Sequence, residues 1–149
     1  MTRAPFQILV IPYYIDEGNI ISYAVFKRSD EDYWQFIAGG GEDDETPLEA
    51  AKREALQEAG LEHDLDFNPL LYNEMLPVEE VCGNIWGDEV KFIPNHCFSV
   101  KVSVRRLKLS KEHTEYKWVK YEEAIALLKW EGNKKALTEL NTYLILNQG

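Results

Sequence analysis

The stretch that decides the reading is Gly39–Leu61, GGGEDDETPLEAAKREALQEAGL. Its middle is a helix whose two ends are written into the chain. Thr46-Pro47-Leu48-Glu49 is a capping box with proline at the first helical position. The threonine hydroxyl and the Glu49 carboxylate can satisfy orphan amides there, a cap worth about 1 kcal/mol. Gly60 supplies the residue that can turn left-handed at the far end. Pro47 to Ala59 then makes a helix about 20 Å long at 1.5 Å per residue. At 100° per residue, Ala51, Ala55 and Ala59 fall in a narrow stripe of small side chains that lets the helix approach a sheet closely. Glu54 and Glu58 stand one turn apart on the edge of that stripe, and Gln57 faces away from it. Two carboxylates at i and i+4 repel by a few tenths of a kcal/mol. A divalent cation offsets that repulsion, and two carboxylates with phosphate oxygens and waters suit Mg²⁺. A solvated acidic helix face is the bland alternative for a bare pair of glutamates.

The glycines, cap and charges together resemble the Nudix box, G-x5-E-x7-R-E-U-x-E-E-x-G-U, with U a bulky apolar residue. Gly39, Glu45, Arg53, Glu54, Glu58, Gly60 and Leu61 stand at the matching positions. Two positions depart: Ala55 replaces the bulky apolar residue, and Gln57 replaces the first glutamate of the E-E pair. Upstream, Phe26-Lys27-Arg28 and Trp34 to Gly40 agree with the flanks common in the family. The resemblance implies a Nudix fold, α+β, an α/β/α sandwich with a mixed sheet and the box as loop–helix–loop. It implies hydrolysis of a nucleoside diphosphate linked to another group. Glu54 and Glu58 would be the main metal ligands, assisted by the Gly39 carbonyl, and Arg53 would orient a carboxylate such as Glu45. The cofactor would be Mg²⁺, with Mn²⁺ able to substitute. Gln57 would attract the metal less than a glutamate does.

Working outward, Phe6–Tyr14 and Ile20–Lys27 read as strands joined by the turn formers Asp16-Glu17-Gly18-Asn19, a hairpin. Trp34–Ile37 reads as a short strand running into the glycines. Further β-like stretches are Leu70–Leu76, Glu89–Ile93, Asn95–Val104 and Tyr116–Val119. Tyr121–Trp130 and Asn133–Leu146 carry apolar residues at helical spacing. Strands, a helix, strands, then helices predict a mixed sheet with helices packed on it. No repeat or linker divides the 149 residues, so a single domain over 1–149 is expected, with the box at 39–61.

The segment Lys111–Trp118, KEHTEYKW, lies before the last strand. Within the family, Asp32–Gln35, Glu112-His113 and Tyr116–Trp118 look like bacterial members that hydrolyse a pterin or deoxynucleoside triphosphate. That likeness points to Glu112 as a further catalytic and metal-binding carboxylate, with Glu115 as the fallback and His113 as an alternative base. Arg28, at a strand end, is a candidate phosphate clamp. Trp34, Trp86, Phe92 and Phe98 are candidates for stacking a planar ring, and Asn95 and His96 for contacting a base edge. Core packing is the commoner fate of each.

Composition bounds the rest. Sixteen basic against 26 acidic residues give a net charge of −10, which disfavours backbone binding of nucleic acid. The run Lys101, Arg105, Arg106, Lys108, Lys111 reads as a solvated strand edge. No apolar run of about 18 residues predicts a membrane span, and Met1–Pro5 has no signal-peptide core. Cys82 and Cys97 make no CxxC pair, so free thiols and a cytoplasmic setting are expected. A zinc site with His96 and His113 matches no known spacing. An isomerase on the same fold would need a catalytic cysteine in a motif, which neither thiol has. The expected partner is a small-molecule nucleoside or pterin triphosphate, cleaved to the monophosphate and pyrophosphate, by a monomer or homodimer. The alternatives are another nucleoside-diphosphate-X substrate (a dinucleoside polyphosphate or ADP-ribose) and a catalytically weak binding module, favoured only by Gln57.

Overall fold

A computed structural model describes residues 2–111 and 113–148. Its seven strands form one mixed sheet: β1 (Arg3–Ile15), β2 (Ile21–Arg28), β3 (Trp34–Gln35), β4 (Ile37–Glu42), β5 (Asp66–Pro77), β6 (Phe92–Lys101) and β7 (His113–Val119). The helices are α1 (Pro47–Ala59), α2 (Tyr121–Leu127) and α3 (Glu131–Leu146). The order across the sheet is β3-β2-β1-β6-β5, with β4 paired to β1 and β7 to β2. Among the described strands, β1 and β6 pair in parallel, and the other strand pairings are antiparallel.

Strand β1 is central and covered on both sides, which is why Ile8-Leu9-Val10-Ile11 reads as an unbroken apolar run. Ile8 and Val10 face a core formed with Phe26, Phe98, Val100 and the alanine stripe Ala51, Ala55 and Ala59 of α1. Leu9 and Ile11 face the opposite core, built with Tyr23, Phe36, Cys97 and the α3 residues Leu137, Leu140 and Leu144. The result is an α/β/α sandwich.

Four elements differ from the sequence reading. Trp34–Ile37 is not one strand, because Gln35 ends β3 and Ile37 starts β4. Glu89–Ile93 is mostly turn, with Gly87 at φ 102, and only its last two residues join β6. The glycines Gly39 to Gly41 are strand rather than loop, paired to Ile8 and Gln7 of β1. Strand β5 is longer than expected and irregular, with a register shift between Pro69 and Asn73. There the Glu139 carboxylate of α3 accepts from the Leu71 and Tyr72 amides, each at 2.7 Å. No helix among the described residues is long and apolar enough to cross a membrane.

Candidate active site

Helix α1 is held at both ends by its own residues. Thr46 Oγ1 accepts from the Glu49 amide at 3.2 Å, and Glu49 Oε1 accepts from the Thr46 amide at 2.8 Å. Gly60 closes the helix at φ 70, ψ 23. With the alanines against the sheet, the flank that carries Glu54 and Glu58 meets β4 and β7.

Strand alternation divides the glycines between the two faces of the sheet. A Cβ on Gly39 would fall inside the Glu54 carboxylate, one on Gly40 inside the Arg3 guanidinium, and one on Gly41 inside the Phe6 ring. Gly39 is thus the seat that lets a carboxylate rest directly on β4 backbone.

Arg53 fastens the arrangement. Its Nε and Nη2 donate to Glu45 at 2.8 and 3.1 Å, Nη2 also to the Gly40 carbonyl at 2.7 Å, and Nη1 to Glu54 at 2.6 Å. The planar fork suits such bidentate bonding. The guanidinium bonded to Glu45 holds that carboxyl below the usual carboxylate range. Glu54 is therefore oriented from two sides, by Arg53 and by the glycine seat. Gln57 is exposed and meets Arg53 only at 3.3 Å.

Glu58, one turn on, is 2% exposed. In such low-dielectric surroundings attraction to a cation is stronger than in water. His113 of β7 brings Nε2 to 3.9 Å from Glu58 Oε1, and its ring lies 5.4 Å from that of Phe26. Burial first, and the Arg28 guanidinium second, push the His113 pKa below the ordinary imidazole value.

Among the described residues no group of three or more acidic, histidine or cysteine side chains is clustered as a ready metal cage. The donor set fits Mg²⁺ nonetheless, since that ion is typically held by one or two carboxylates and completes its octahedron with water and substrate phosphate. Glu54, Glu58 and backbone carbonyls at the glycine strand are hard oxygen donors of that kind.

The other sequence candidates scatter. Glu112 lies outside the described residues. Arg28, across from His113, donates two hydrogen bonds through Nε and Nη2 to the Asp30 carboxylate, each at 2.7 Å. Trp34 packs on the α3-side core, with the Lys117 ammonium 5.0 Å from its ring. Asn95 is on β6 two residues before Cys97, hence on the same α3 face and opposite Glu54. Phe98 is core, His96 stacks edge-on against Phe6 at 5.9 Å, and Phe92 is exposed. Trp86 donates to the Arg3 carbonyl at 2.8 Å and lies 5.9 Å from its guanidinium. Arg3 itself carries no sequence signal, because its contacts are made across strands.

The NUDIX domain model matches residues 15–140. The chain belongs to the Nudix hydrolases. Enzymes of this family act on small nucleotide substrates and generally need a divalent metal. This Nudix hydrolase is 27% identical over 143 residues to a dihydroneopterin triphosphate diphosphatase of Haemophilus influenzae, covering 88% of this chain and 84% of that one. It superposes on a Listeria monocytogenes structure assigned to the Nudix hydrolases with a TM-score of 0.87, at 40% identity and 97% coverage of both chains. The Escherichia coli dihydroneopterin triphosphate pyrophosphohydrolase shares the fold, with a TM-score of 0.76 at 24% identity, over 95% of this chain and 99% of that one.

Proposed function

We propose that this Nudix hydrolase is a Mg²⁺-dependent pyrophosphohydrolase that cleaves a nucleoside or pterin triphosphate to the monophosphate and pyrophosphate. The observation that carries the reading is the seat of Glu54: its carboxylate rests on Gly39, is gripped by Arg53 at 2.6 Å, and lies one turn from the buried Glu58. A divalent cation held by these glutamates would neutralise phosphate oxygens and lower the pKa of its water. Arg53 positions Glu54 and does not itself reach for substrate, since Nε, Nη1 and Nη2 are all committed to protein acceptors. Arg28, at the end of β2 beside His113, is the proposed phosphate contact. Glu112, between Lys111 and His113 in the chain, is the proposed third carboxylate. Trp34 and Asn95 are the proposed ring contacts. The substrate class rests on the similarity to the Haemophilus influenzae diphosphatase.

The test is a panel of nucleoside triphosphates, dihydroneopterin triphosphate, a dinucleoside tetraphosphate and ADP-ribose, with Mg²⁺ and with a chelator. The expected result is release of pyrophosphate, not phosphate, from a triphosphate, abolished by chelation. Preferred cleavage of ADP-ribose or the dinucleoside polyphosphate, or turnover that persists in chelator, would contradict it.

A further inference from the structure

On the sheet face away from Glu54, four residues fall in register across four strands. Glu74 of β5 pairs with Asn95 of β6, Asn95 with Gln7 of β1, and Gln7 with Gly40 of β4. Directly paired residues share a face, so this is one row. The Arg3 guanidinium occupies the space a Gly40 side chain would fill and donates through Nη2 to Gln7 Oε1. At the other end the Glu74 carboxylate rests against Gly132 in the first turn of α3, whose N-cap residue Trp130 offers no capping side chain.

The row is half-buried, closed over Asn95, and incomplete. Asn95 is 9% exposed, and its Oδ1 has no hydrogen-bond partner among the described residues; nor has the buried Arg3 Nε. Leaving such groups unsatisfied is costly, and orphaned buried polar atoms in a native structure call for an explanation. Read from β4 to β5, the row presents the Arg3 guanidinium, a donor whose Nη2 is bonded to Gln7, then an acceptor at Asn95 Oδ1, then a carboxylate acceptor at Glu74. Its complement is a planar edge carrying acceptor, donor, donor. A 2-amino-4-oxopyrimidine ring has that order: a carbonyl oxygen, a ring N–H and an exocyclic amino group. Guanine and pterins share it. Adenine offers an amino donor beside a ring-nitrogen acceptor, which would leave Asn95 or Glu74 facing a lone pair.

We infer that Arg3, Asn95 and Glu74 form the specificity site for the ring of the substrate, selecting the 2-amino-4-oxopyrimidine edge over adenine, with Glu74 accepting from the 2-amino group. This rests on the proposed triphosphate reading and deepens it. Gly40 links the two halves: one face carries Arg3, while its carbonyl accepts from Arg53.

The test compares GTP with ITP, which keeps the carbonyl and ring N–H but lacks the 2-amino group, in the parent and in Glu74→Gln. The parent is expected to show a kcat/KM for GTP on the order of ten- to a hundredfold above ITP, as loss of a charge-assisted hydrogen bond predicts. Glu74→Gln leaves only a neutral acceptor and is expected to bring the ratio toward one. A carboxylate that merely capped α3 would change the thermal midpoint and leave the ratio alone. Equal use of GTP and ITP by the parent, or a ratio that survives Glu74→Gln, would overturn the inference while leaving the triphosphate reading intact. Should no triphosphate turn over, that reading falls and the site is judged by calorimetric titration of GMP against IMP. Preference for GMP, lost in Glu74→Gln, supports the site; equal binding or a preference that persists overturns it.

Discussion

Two glycines in this molecule each seat a glutamate, on opposite faces of one sheet. Gly39 of β4 seats Glu54 of α1, and Gly132 of α3 seats Glu74 of β5. The first pair lies 15 residues apart in the chain and is framed by a capping box, a left-handed C-cap and an arginine, all within one loop and helix. The second joins residues 58 apart, on a strand edge and at a helix start that no side chain caps. The first seat is built almost entirely from one strand–loop–helix segment, with only the facing of Gly39 set by its pairing to β1. The second exists only once the sheet has formed and α3 has docked, so the helix start and the carboxylate depend on each other.

Within the comparison of the two seats, the largest expected effect comes from filling them. In Gly39→Ala and Gly132→Ala the new methyl meets the flexible end of a glutamate, so the carboxylate gives way rather than the backbone. Gly39→Ala should retain the fold by circular dichroism and lose turnover by about 10²-fold, the penalty typical of a misplaced active-site group. Gly132→Ala should instead lower the GTP-to-ITP preference, by about tenfold. Were both variants to lose turnover equally and keep the preference, the division of labour between the faces would fail.

A smaller effect separates the helix starts. Thr46→Ala removes the hydroxyl that accepts from Glu49 and should cost about 1 kcal/mol in a urea titration. An unchanged midpoint would mean α1 is held by packing alone.

The smallest is a pH effect. Arg53 lowers the Glu45 pKa in the folded protein, so the pair adds stability above the unfolded carboxyl pKa of about 4.3. That contribution is lost as pH falls through the lower folded value. Glu45→Gln lacks it, and its thermal midpoint should fall less than the parent's between neutral and acid pH. Parallel curves would show that the Arg53–Glu45 bond contributes nothing to stability.

Legibility in the sequence follows the same division. Helix α1 ends where Thr46 and Gly60 say it does, its alanines face the sheet, and Gln57 points outward, because all of these depend on neighbours within a turn or two. The alternation of Gly39, Gly40 and Gly41 between faces was hidden, since a glycine run carries no period; reading it as strand requires its pairing to β1. Asn95 was visible as a polar residue in an apolar strand, but its face was not, and neither Glu74 nor Arg3 gave any sign. Their roles depend on register across β5, β6, β1 and β4, which no local pattern encodes. Glu139 is similar: its carboxylate completes the β5 irregularity from 67 and 68 residues away. Glu89–Ile93 differs for another reason: the turns around Gly87 take up its first residues, and only Phe92 and Ile93 pair, with Pro77 and Leu76 of β5.

The central claim is that the buried Glu58, not the exposed Gln57, faces the metal with Glu54. A Mg²⁺ titration of steady-state turnover in the parent, Glu58→Gln and Gln57→Glu tests it most directly. Glu58→Gln should lose about 10²–10³ in rate, the loss typical of removing one strong electrostatic contact. Gln57→Glu should keep the parental rate and reach half-maximal activity at lower Mg²⁺, because it adds a negative charge at the rim. Near-parental turnover in Glu58→Gln, or loss of turnover in Gln57→Glu, would contradict the orientation of α1 on which the account depends.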